Sequence, residues 1–380
     1  MDAPDPIYLD HNASTPVPAR VRNAVIAALD EGFGNPSASH PYGRRARALV
    51  ERARSRVAAL IGCDDDEIVF TGGGTEASNL AIRGAAAKLG AEGLLVITST
   101  VEHPATIEPI AALCSAGARA ARVLVDTRGV IDVAGVEQAL ARSRGAALVS
   151  VILAQNETGV IQPVAEIAAK ARARGAVVHT DAAQAVGKIE VRVRRLGVDL
   201  LSIAGHKLYA PKGVGALYVR RGVAIAPLVV GAGHERGLRP GTENVAAIAG
   251  LGEACALARE SLAAEIDRQR ALRDRLEARL ATEGFVVHGA GAERLPGTIN
   301  GRFPGVRGSA LLARVPEIAF TTGSACHAGE ERASSALLAM GLTETDALGA
   351  VRLSLGRATT EADIDRAAEL LSAAARAERG

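Results

Sequence analysis

The sequence predicts an α/β fold with a mainly parallel β-sheet that is covered by helices on both faces. Short runs rich in β-branched residues alternate with alanine-rich helical patterns up to Val219. This alternation is typical of crossover units, in which a helix joins one strand to the next parallel strand. After Gly241 the pattern changes to one long helical stretch, followed by short strands and further helices. The 380 residues are therefore expected to form two domains, because a single core stops growing near roughly 250–300 residues.

The predicted strands of the sheet follow one another along the first part of the chain. In order they occupy 67–73, 93–99, 121–125, 147–155, 176–181, 198–205 and 213–219. Helical patterns occupy 75–89, 105–116, 133–143 and 164–174 between them. Ligands of such sheets bind beyond the carboxyl ends of the strands, so the residues that follow these runs are the first candidates for a site.

The long helical pattern at 244–282 is expected to contain the domain boundary. Short predicted strands at 284–289 and 297–301 follow it. We assign residues 16–255 to a large domain, and residues 1–15 and 256–380 to a smaller α+β domain.

The composition is that of an ordinary enzyme-sized globular protein. The net charge is +2, and the most basic run, Arg44–Arg56, has apolar residues at helical spacing. That spacing indicates an amphipathic helix with a solvated basic face, so direct binding to nucleic acid is not expected. No stretch is long enough to span a bilayer, and the N-terminal residues lack the pattern of a signal peptide. The expected location is the cytoplasm.

The cysteines give no sign of a metal site or a disulfide framework. Cys63, Cys114, Cys255 and Cys326 form no CxxC pair and have no histidine at zinc-finger spacing. The first three lie in helical or helix-end patterns and are expected to be small buried hydrophobic residues. Cys326 differs because TTGSACHAGEE surrounds it with small and polar residues, as in a loop. An accessible thiol beside a histidine can become a nucleophilic thiolate.

A glycine-rich turn and a lysine follow two of the predicted strands. TGGGTEASN places Thr75 at the start of a helix whose unpaired amides could hold a phosphate, although a tight connection explains such a turn equally well. Lys207 follows the apolar run DLLSIAG. A lysine at the end of a core strand is costly to desolvate unless it is paired, neutralised or covalently bonded. Lys207 is therefore a candidate Schiff-base amine.

A carboxylate ends a third strand. Asp181 closes the apolar run VVHTD, and Gln184 follows three residues later. Asp181 is either a helix N-cap, which is the commoner role, or the partner of a buried cation. A phosphate site, a carboxylate and a lysine at strand ends are together what pyridoxal 5′-phosphate (PLP) requires. Amides and hydroxyls bind its phosphate, an anion keeps its pyridine nitrogen protonated, and an amine binds its aldehyde.

Ten blocks of the sequence also identify a family. They are YLDHNASTP, GNPSASH, TGGGTEASN, EHPA, QNETGVIQPV, HTDAAQAVGK, AGHKLYAPKGVGALYV, RPGTENV, GSACHAG and VRLSLGR. In this order they resemble the NifS/IscS-type cysteine desulfurases, class V of the fold-type I PLP-dependent enzymes, from Tyr8 to about Arg357. The resemblance implies a seven-stranded sheet in the large domain and a catalytic cysteine loop on the small one. It also implies that an enzyme cysteine takes sulfur from L-cysteine as a persulfide and that L-alanine is released.

The resemblance implies a role for each matching residue around the cofactor. Lys207 would hold PLP covalently and later move protons at the substrate Cα. Asp181 would pair with the pyridinium, Gln184 would hydrogen-bond the phenolic oxygen, and His103 would stack on the ring and assist proton transfer. The phosphate would be held by Gly74, Thr75 and His206, and by Thr242 of the other subunit of a homodimer.

Further roles concern the substrate and the sulfur. The resemblance implies that Asn156 would contact the cofactor and, with Arg352 as a two-pronged clamp, would bind the substrate carboxylate. Cys326 would attack the substrate sulfur and pass it to an acceptor protein, which the sequence does not identify. The segment from Cys326 to Gly341 has the length of the long-loop members, in which this cysteine can swing.

The sequence departs from the family pattern at Ala204, where the iron-sulfur housekeeping members have a serine that hydrogen-bonds the phosphate. His327, which follows the cysteine, also occurs in selenocysteine lyases. A selenocysteine lyase or another class V lyase or aminotransferase is therefore an alternative, and a non-catalytic scaffold for sulfur-relay partners is a third. A non-catalytic scaffold does not need Lys207, Asp181, Arg352 and Cys326, so the presence of all four argues against this third alternative.

Overall fold

The computed structural model describes residues 6–322, 324–327 and 330–380. For residues 324–327 and 330 it describes the backbone but not the side chains. The strands are β1 (Ile7–Tyr8), β2 (Ile68–Thr71), β3 (Leu95–Ser99), β4 (Arg119–Val123), β5 (Ala147–Ile152), β6 (Val177–Asp181), β7 (Leu200–Ala204), β8 (Gly215–Val219), β9 (Val286–Val287), β10 (Thr298–Arg302), β11 (Ile318–Ala319), β12 (Thr321–Thr322), β13 (Ser324–His327), β14 (Glu330–Ala333) and β15 (Val351–Ser354). The helices are α1 (Ala19–Glu31), α2 (Pro41–Ile61), α3 (Gly74–Leu89), α4 (Pro104–Ser115), α5 (Val133–Ala141), α6 (Val164–Arg172), α7 (Val193–Leu196), α8 (Val245–Ala281), α9 (Gly308–Arg314), α10 (Ser335–Ala339), α11 (Glu344–Leu348) and α12 (Glu361–Arg379).

The main sheet has the strand order β2-β8-β7-β6-β5-β3-β4 within the described chain. Strands β3 to β7 pair in parallel, whereas β8 runs antiparallel to both of its neighbours, β2 and β7. Every residue of β3, β5, β7 and β8 is buried, because helices cover both faces of the sheet. The predicted α/β fold with a mainly parallel seven-stranded sheet is confirmed. One strand, β4, begins and ends two residues earlier than predicted.

The pairing register places the ends of β2, β6 and β7 side by side. Thr71 at the end of β2 and Ala204 at the end of β7 both pair with Gly215 of β8. On the other side of β7, Ser202 pairs with Asp181 at the end of β6. The segments that follow these strands therefore meet at one edge of the sheet.

Two hydrophobic cores lie along the long helix α8. The first lies on one face of the main sheet and includes Leu251 and Cys255 of α8. The second joins Leu276 of the same helix to the sheet β12-β15-β10-β9 and to α12, and it also contains Leu9. Strand β1 pairs with β11, which attaches the N-terminal segment to this second core. The limits at 16–255 and 256–380 remain a prediction, since both cores use α8.

The cysteines lie partly where the sequence places them. Cys255 is buried in α8, whereas Cys63 and Cys114 are only half-buried, and all three are free thiols. The prediction that Cys326 lies in a loop is wrong, because its backbone belongs to β13. This strand pairs antiparallel with β14 and places Cys326 opposite Glu331. The side chain of Cys326 lies outside the described residues.

None of the described helices has the length and the apolar content needed to cross a bilayer.

Candidate active site

A cavity of about 310 Å³ opens where β2, β6 and β7 end. Most of the predicted site residues line it. They are Gly74, Thr75, His103, Asn156, Asp181, Gln184, His206, Lys207 and Arg352. Thr242 is exposed and does not line the cavity, and the side chain of Cys326 lies outside the described residues.

Lys207 lies in a short 3₁₀ turn that directly follows β7. Its Nζ donates hydrogen bonds to the backbone oxygens of Asn12, at 2.6 Å, and Ala13, at 2.9 Å. Burial, and then the charge of Arg352, lower the pKa of Lys207 to about 8, although Asp10 and Asp181 oppose this. An amine with this pKa is partly neutral near pH 7, and a neutral amine can attack an aldehyde.

Asp181 and His103 both line the cavity and interact electrostatically. Asp181 ends β6, and its Oδ1 accepts a hydrogen bond from the Ala183 amide at 2.9 Å. No helix begins there in the described chain, so the N-cap alternative is wrong. Burial raises the pKa of Asp181, while the hydrogen bond from Ala183 and the charge of Lys207 lower it. A cation such as a pyridinium in the cavity would therefore favour the ionised carboxylate.

His103 caps helix α4, and its Nδ1 accepts a hydrogen bond from the Ala105 amide at 3.1 Å. Burial lowers the pKa of His103, so the neutral ring is favoured. Because Nδ1 is an acceptor, the ring proton lies on Nε2. The imidazole can then exchange a proton at Nε2 with a bound molecule.

The N-terminus of α3 lines the cavity with Gly74 and Thr75. Its first amides, at Gly74 and Thr75, have no partner within the helix because they belong to its first turn. Gly73 has a φ of 151°, which L side chains rarely adopt. A Cβ at Gly74 would lie 2.9 Å from the Cβ of Ala204, so only glycine lets the helix end approach β7 this closely. The methyl group of Ala204 lines this wall, which has no hydroxyl donor at that position.

Two further side chains complete the polar lining. Burial, with Lys207 and other lysines, lowers the pKa of His206 to about 4, so its ring is neutral. Arg352 on β15 donates to Asp10 at 2.7 Å and to the Asn156 backbone oxygen at 3.0 Å. Its Nε is buried without a partner in the described chain. An anionic ligand can supply the missing acceptor.

Sequence reasoning missed several residues that support this cavity. Asn12, in the N-terminal block, binds the cavity lysine through its backbone oxygen. Lys188 ends the block HTDAAQAVGK and donates to Gln184 Oε1 at 2.6 Å. Their position within recognised blocks was the only signal in the sequence. Glu102 precedes His103, and burial raises its pKa to about 8.

These residues fit PLP by the chemistry of their donors. Amides and a neutral imidazole suit a phosphate, the buried carboxylate suits a pyridinium, and the amine of low pKa suits an aldehyde. A Cβ at Gly74 would press against Ala204, which also lines the cavity, so glycine keeps a side chain out of this part of the helix terminus.

Comparisons with known proteins agree with this chemistry. The aminotransferase class-V family model matches residues 7–367. "Cysteine desulfurase 2" of Trichormus variabilis is 44% identical over 369 residues, which cover 96% of this chain and 92% of the relative. A solved "NifS-like protein" has a TM-score of 0.91 at 34% identity and covers 97% of this chain and 98% of its own. "SspA in complex with cysteine" has a TM-score of 0.80 at 33% identity and covers 92% of this chain and 98% of its own. The chain therefore belongs to the aminotransferase class-V family of PLP-dependent enzymes and, within it, to the cysteine desulfurases.

Proposed function

We propose that this enzyme removes sulfur from L-cysteine, releases L-alanine and keeps the sulfur as a persulfide on Cys326. The observation that carries the proposal is the convergence of Lys207, Asp181 and Arg352 on one cavity. Strand β12 adds support, because Thr321 pairs with Arg352 and the chain continues from there into β13, which contains Cys326.

When bound, PLP supplies an aldehyde for the substrate amine and a protonated ring that accepts electrons from the substrate Cα. Lys207 holds the cofactor and, as a partly neutral amine, takes and returns the proton at Cα. Asp181 keeps the ring nitrogen protonated by its negative charge. Arg352 and Asn156 bind the substrate carboxylate, which fixes the direction in which the substrate side chain points.

The sulfur step uses the thiolate of Cys326. Its Sγ attacks the substrate sulfur, so a sulfur–sulfur bond forms while the substrate carbon–sulfur bond breaks. The electron pair of the broken bond stays on the substrate carbon, which then takes up a proton to become the methyl group of alanine. The persulfide sulfur is transferred afterwards to an acceptor protein, whose identity decides the pathway.

Conversion of L-cysteine to L-alanine by the purified, PLP-loaded protein tests this function. With a thiol reductant present, alanine and sulfide are expected in equal amounts. The alternative of a selenocysteine lyase predicts rapid alanine release from L-selenocysteine and almost none from L-cysteine. A colourless protein that binds no PLP would support the scaffold alternative.

The working unit that we propose is a homodimer in the cytoplasm. Thr242 does not line its own cavity, which supports a role in the phosphate site of the partner. Large apolar side chains are exposed on the same subunit, among them Phe33 at 68% and Val230 at 89%. Phe33 also lies against the exposed ring of Tyr42, with 5.2 Å between the ring centroids, and a second subunit can cover an apolar patch of this kind. A reducing compartment suits an enzyme whose Cys326 must be a free thiol.

Changing Thr242→Ala is expected to speed the loss of PLP on dialysis while the protein stays dimeric, because one hydroxyl donor to the phosphate is removed. Equilibrium dialysis followed by absorbance of the bound cofactor measures this loss. Thr345→Ala, at an α11 position far along the chain from this block, is the control. Full activity of wild-type protein that sediments as a monomer would contradict a phosphate site shared between subunits.

A further inference from the structure

Lys188 lies behind the cavity, next to Gln184, and does not line the cavity itself. We propose that Lys188 is a positioning residue that fixes the Gln184 amide so that an N–H group points at the phenolic oxygen of the cofactor. This inference rests on the proposed function, which places PLP against Gln184. Through Gln184, Lys188 would then lower the pH at which Lys207 Nζ loses its proton.

The contacts of Lys188 define the orientation of two side-chain amides. Its Nζ donates to Gln184 Oε1 at 2.6 Å and to Asn12 Oδ1 at 2.7 Å. Burial and the charges of Lys207 and Arg352 lower the pKa of Lys188, but Nζ keeps at least two N–H groups in either protonation state, and these donate to the two amide oxygens that are turned towards it. Reversal of either amide would bring an NH₂ group against the lysine donors.

The nitrogen of the Gln184 amide is thereby directed to the other side. Nε2 donates one N–H to the Asn12 backbone oxygen at 2.9 Å. An amide NH₂ has two N–H groups, and the second is available to the cavity that Gln184 lines. A reversed amide would place Oε1 against the Asn12 oxygen and would offer the cavity an acceptor.

Asn12 is itself firmly held, which makes the arrangement rigid. Its Nδ2 donates to Thr298 Oγ1 at 3.0 Å, and its backbone amide donates to Ser354 Oγ at 2.9 Å. These partners lie on β10 and β15 of the second sheet. Lys188 and Gln184 therefore both hydrogen-bond to a residue, Asn12, whose position is fixed by other contacts.

The N–H of Gln184 affects the cofactor through charge. A donor aimed at a phenolate oxygen draws negative charge from it, so the oxygen attracts the neighbouring proton on Lys207 Nζ less strongly. Loss of the donor should keep this proton in place to a higher pH. The other charged or titratable groups that face Lys207 are Arg352, Asp10, Asp181, His103, His206 and Lys188. They are the same in every variant below except at position 188.

The test is a pH titration of the absorbance of bound PLP in the intact holoenzyme. Lys188→Met is expected to retain PLP covalently on Lys207. The pH midpoint at which the proton on Lys207 Nζ is lost should rise by about one pH unit, since the Gln184 amide is no longer fixed. Lys188→Gln, which keeps a polar group there, should raise it as well and serves if the methionine variant does not fold. Lys188→Arg, which keeps the donors, should restore the wild-type midpoint. Lys170→Met, at an exposed lysine paired with Glu137, is the control.

A double-mutant cycle separates positioning from a general structural effect. Gln184→Ala alone should raise the midpoint, and adding Lys188→Met to it should change nothing further, because the lysine acts through the amide. The inference is overturned if Lys188→Met shifts the midpoint of the pH titration equally with and without Gln184→Ala. It is also overturned if neither Lys188→Met nor Lys188→Gln shifts this midpoint. If the wild-type protein binds no PLP at Lys207, the proposed function itself is wrong and this inference falls with it.

Discussion

Lys207→Ala is expected to reduce the turnover of L-cysteine by at least about 10⁴-fold while the protein stays folded. The variant loses the amine that holds the cofactor and the base that moves the proton at the substrate Cα. The backbone oxygens of Asn12 and Ala13 lose a donor each, but Asn12 keeps the one from Gln184 Nε2, so only the half-buried Ala13 oxygen loses this partner without that replacement, at a cost of no more than about 1–3 kcal/mol. A typical stability of about 5–15 kcal/mol is enough to absorb this cost.

Alanine release, circular dichroism and borohydride trapping followed by peptide mapping measure these effects. Reduction should fix PLP to the peptide that contains Lys207 in the wild type and to no peptide in the variant. Lys212→Ala is the matched control, because Lys212 is exposed and lies only five residues further along the same segment. Cofactor fixed to another lysine of the variant, with turnover retained, would show that Lys207 is not the attachment site.

Cys326→Ala is expected to bind PLP and L-cysteine normally, with the spectral change that substrate binding produces, yet to release alanine roughly 10³-fold more slowly or worse. The substrate carbon–sulfur bond is strong and its leaving group is poor, so sulfur transfer needs an attacking thiolate. Selenium leaves more readily. The same variant should therefore lose far less activity towards L-selenocysteine.

The other cysteines are poor substitutes for this nucleophile. Burial raises the pKa of both Cys63 and Cys255 to about 12. A thiol with that pKa is ionised in only about one molecule in 10⁵ at pH 7. Cys63→Ala and Cys114→Ala are the matched controls and should keep wild-type turnover. Wild-type rates from the Cys326 variant would favour a lyase that does not use an enzyme thiol.

The fold could be predicted because its signals are local. Most strands of the main sheet are short apolar runs, β4 with its sequence RAARV being an exception, and a turn or a helical pattern follows them, so the alternation indicates crossover units. The cavity could be predicted for a related reason. Asp181 ends β6 and Lys207 lies in the short turn after β7, and the carboxyl ends of parallel strands meet at one edge.

The supporting residues could not be predicted, since their contacts join distant parts of the chain. Asn12 binds Gln184, Lys188 and Lys207, which are more than 170 residues away in sequence. Neither composition nor periodicity carries a signal for such hydrogen bonds. The backbone of Cys326 was mistaken for a loop because its small and polar neighbours resemble a turn, although they pair as β13 and β14.

The most direct test of sulfur transfer is mass spectrometry of the wild-type enzyme after one equivalent of L-cysteine without reductant. Free thiols are alkylated, the protein is digested, and the mass of each cysteine peptide is compared with that of the untreated enzyme. We expect the mass of one additional sulfur atom on the peptide that contains Cys326, together with one equivalent of alanine. Additional sulfur on the peptides of Cys63, Cys114 or Cys255, or alanine formed without sulfur on any peptide, would contradict the assignment of Cys326 as the nucleophile.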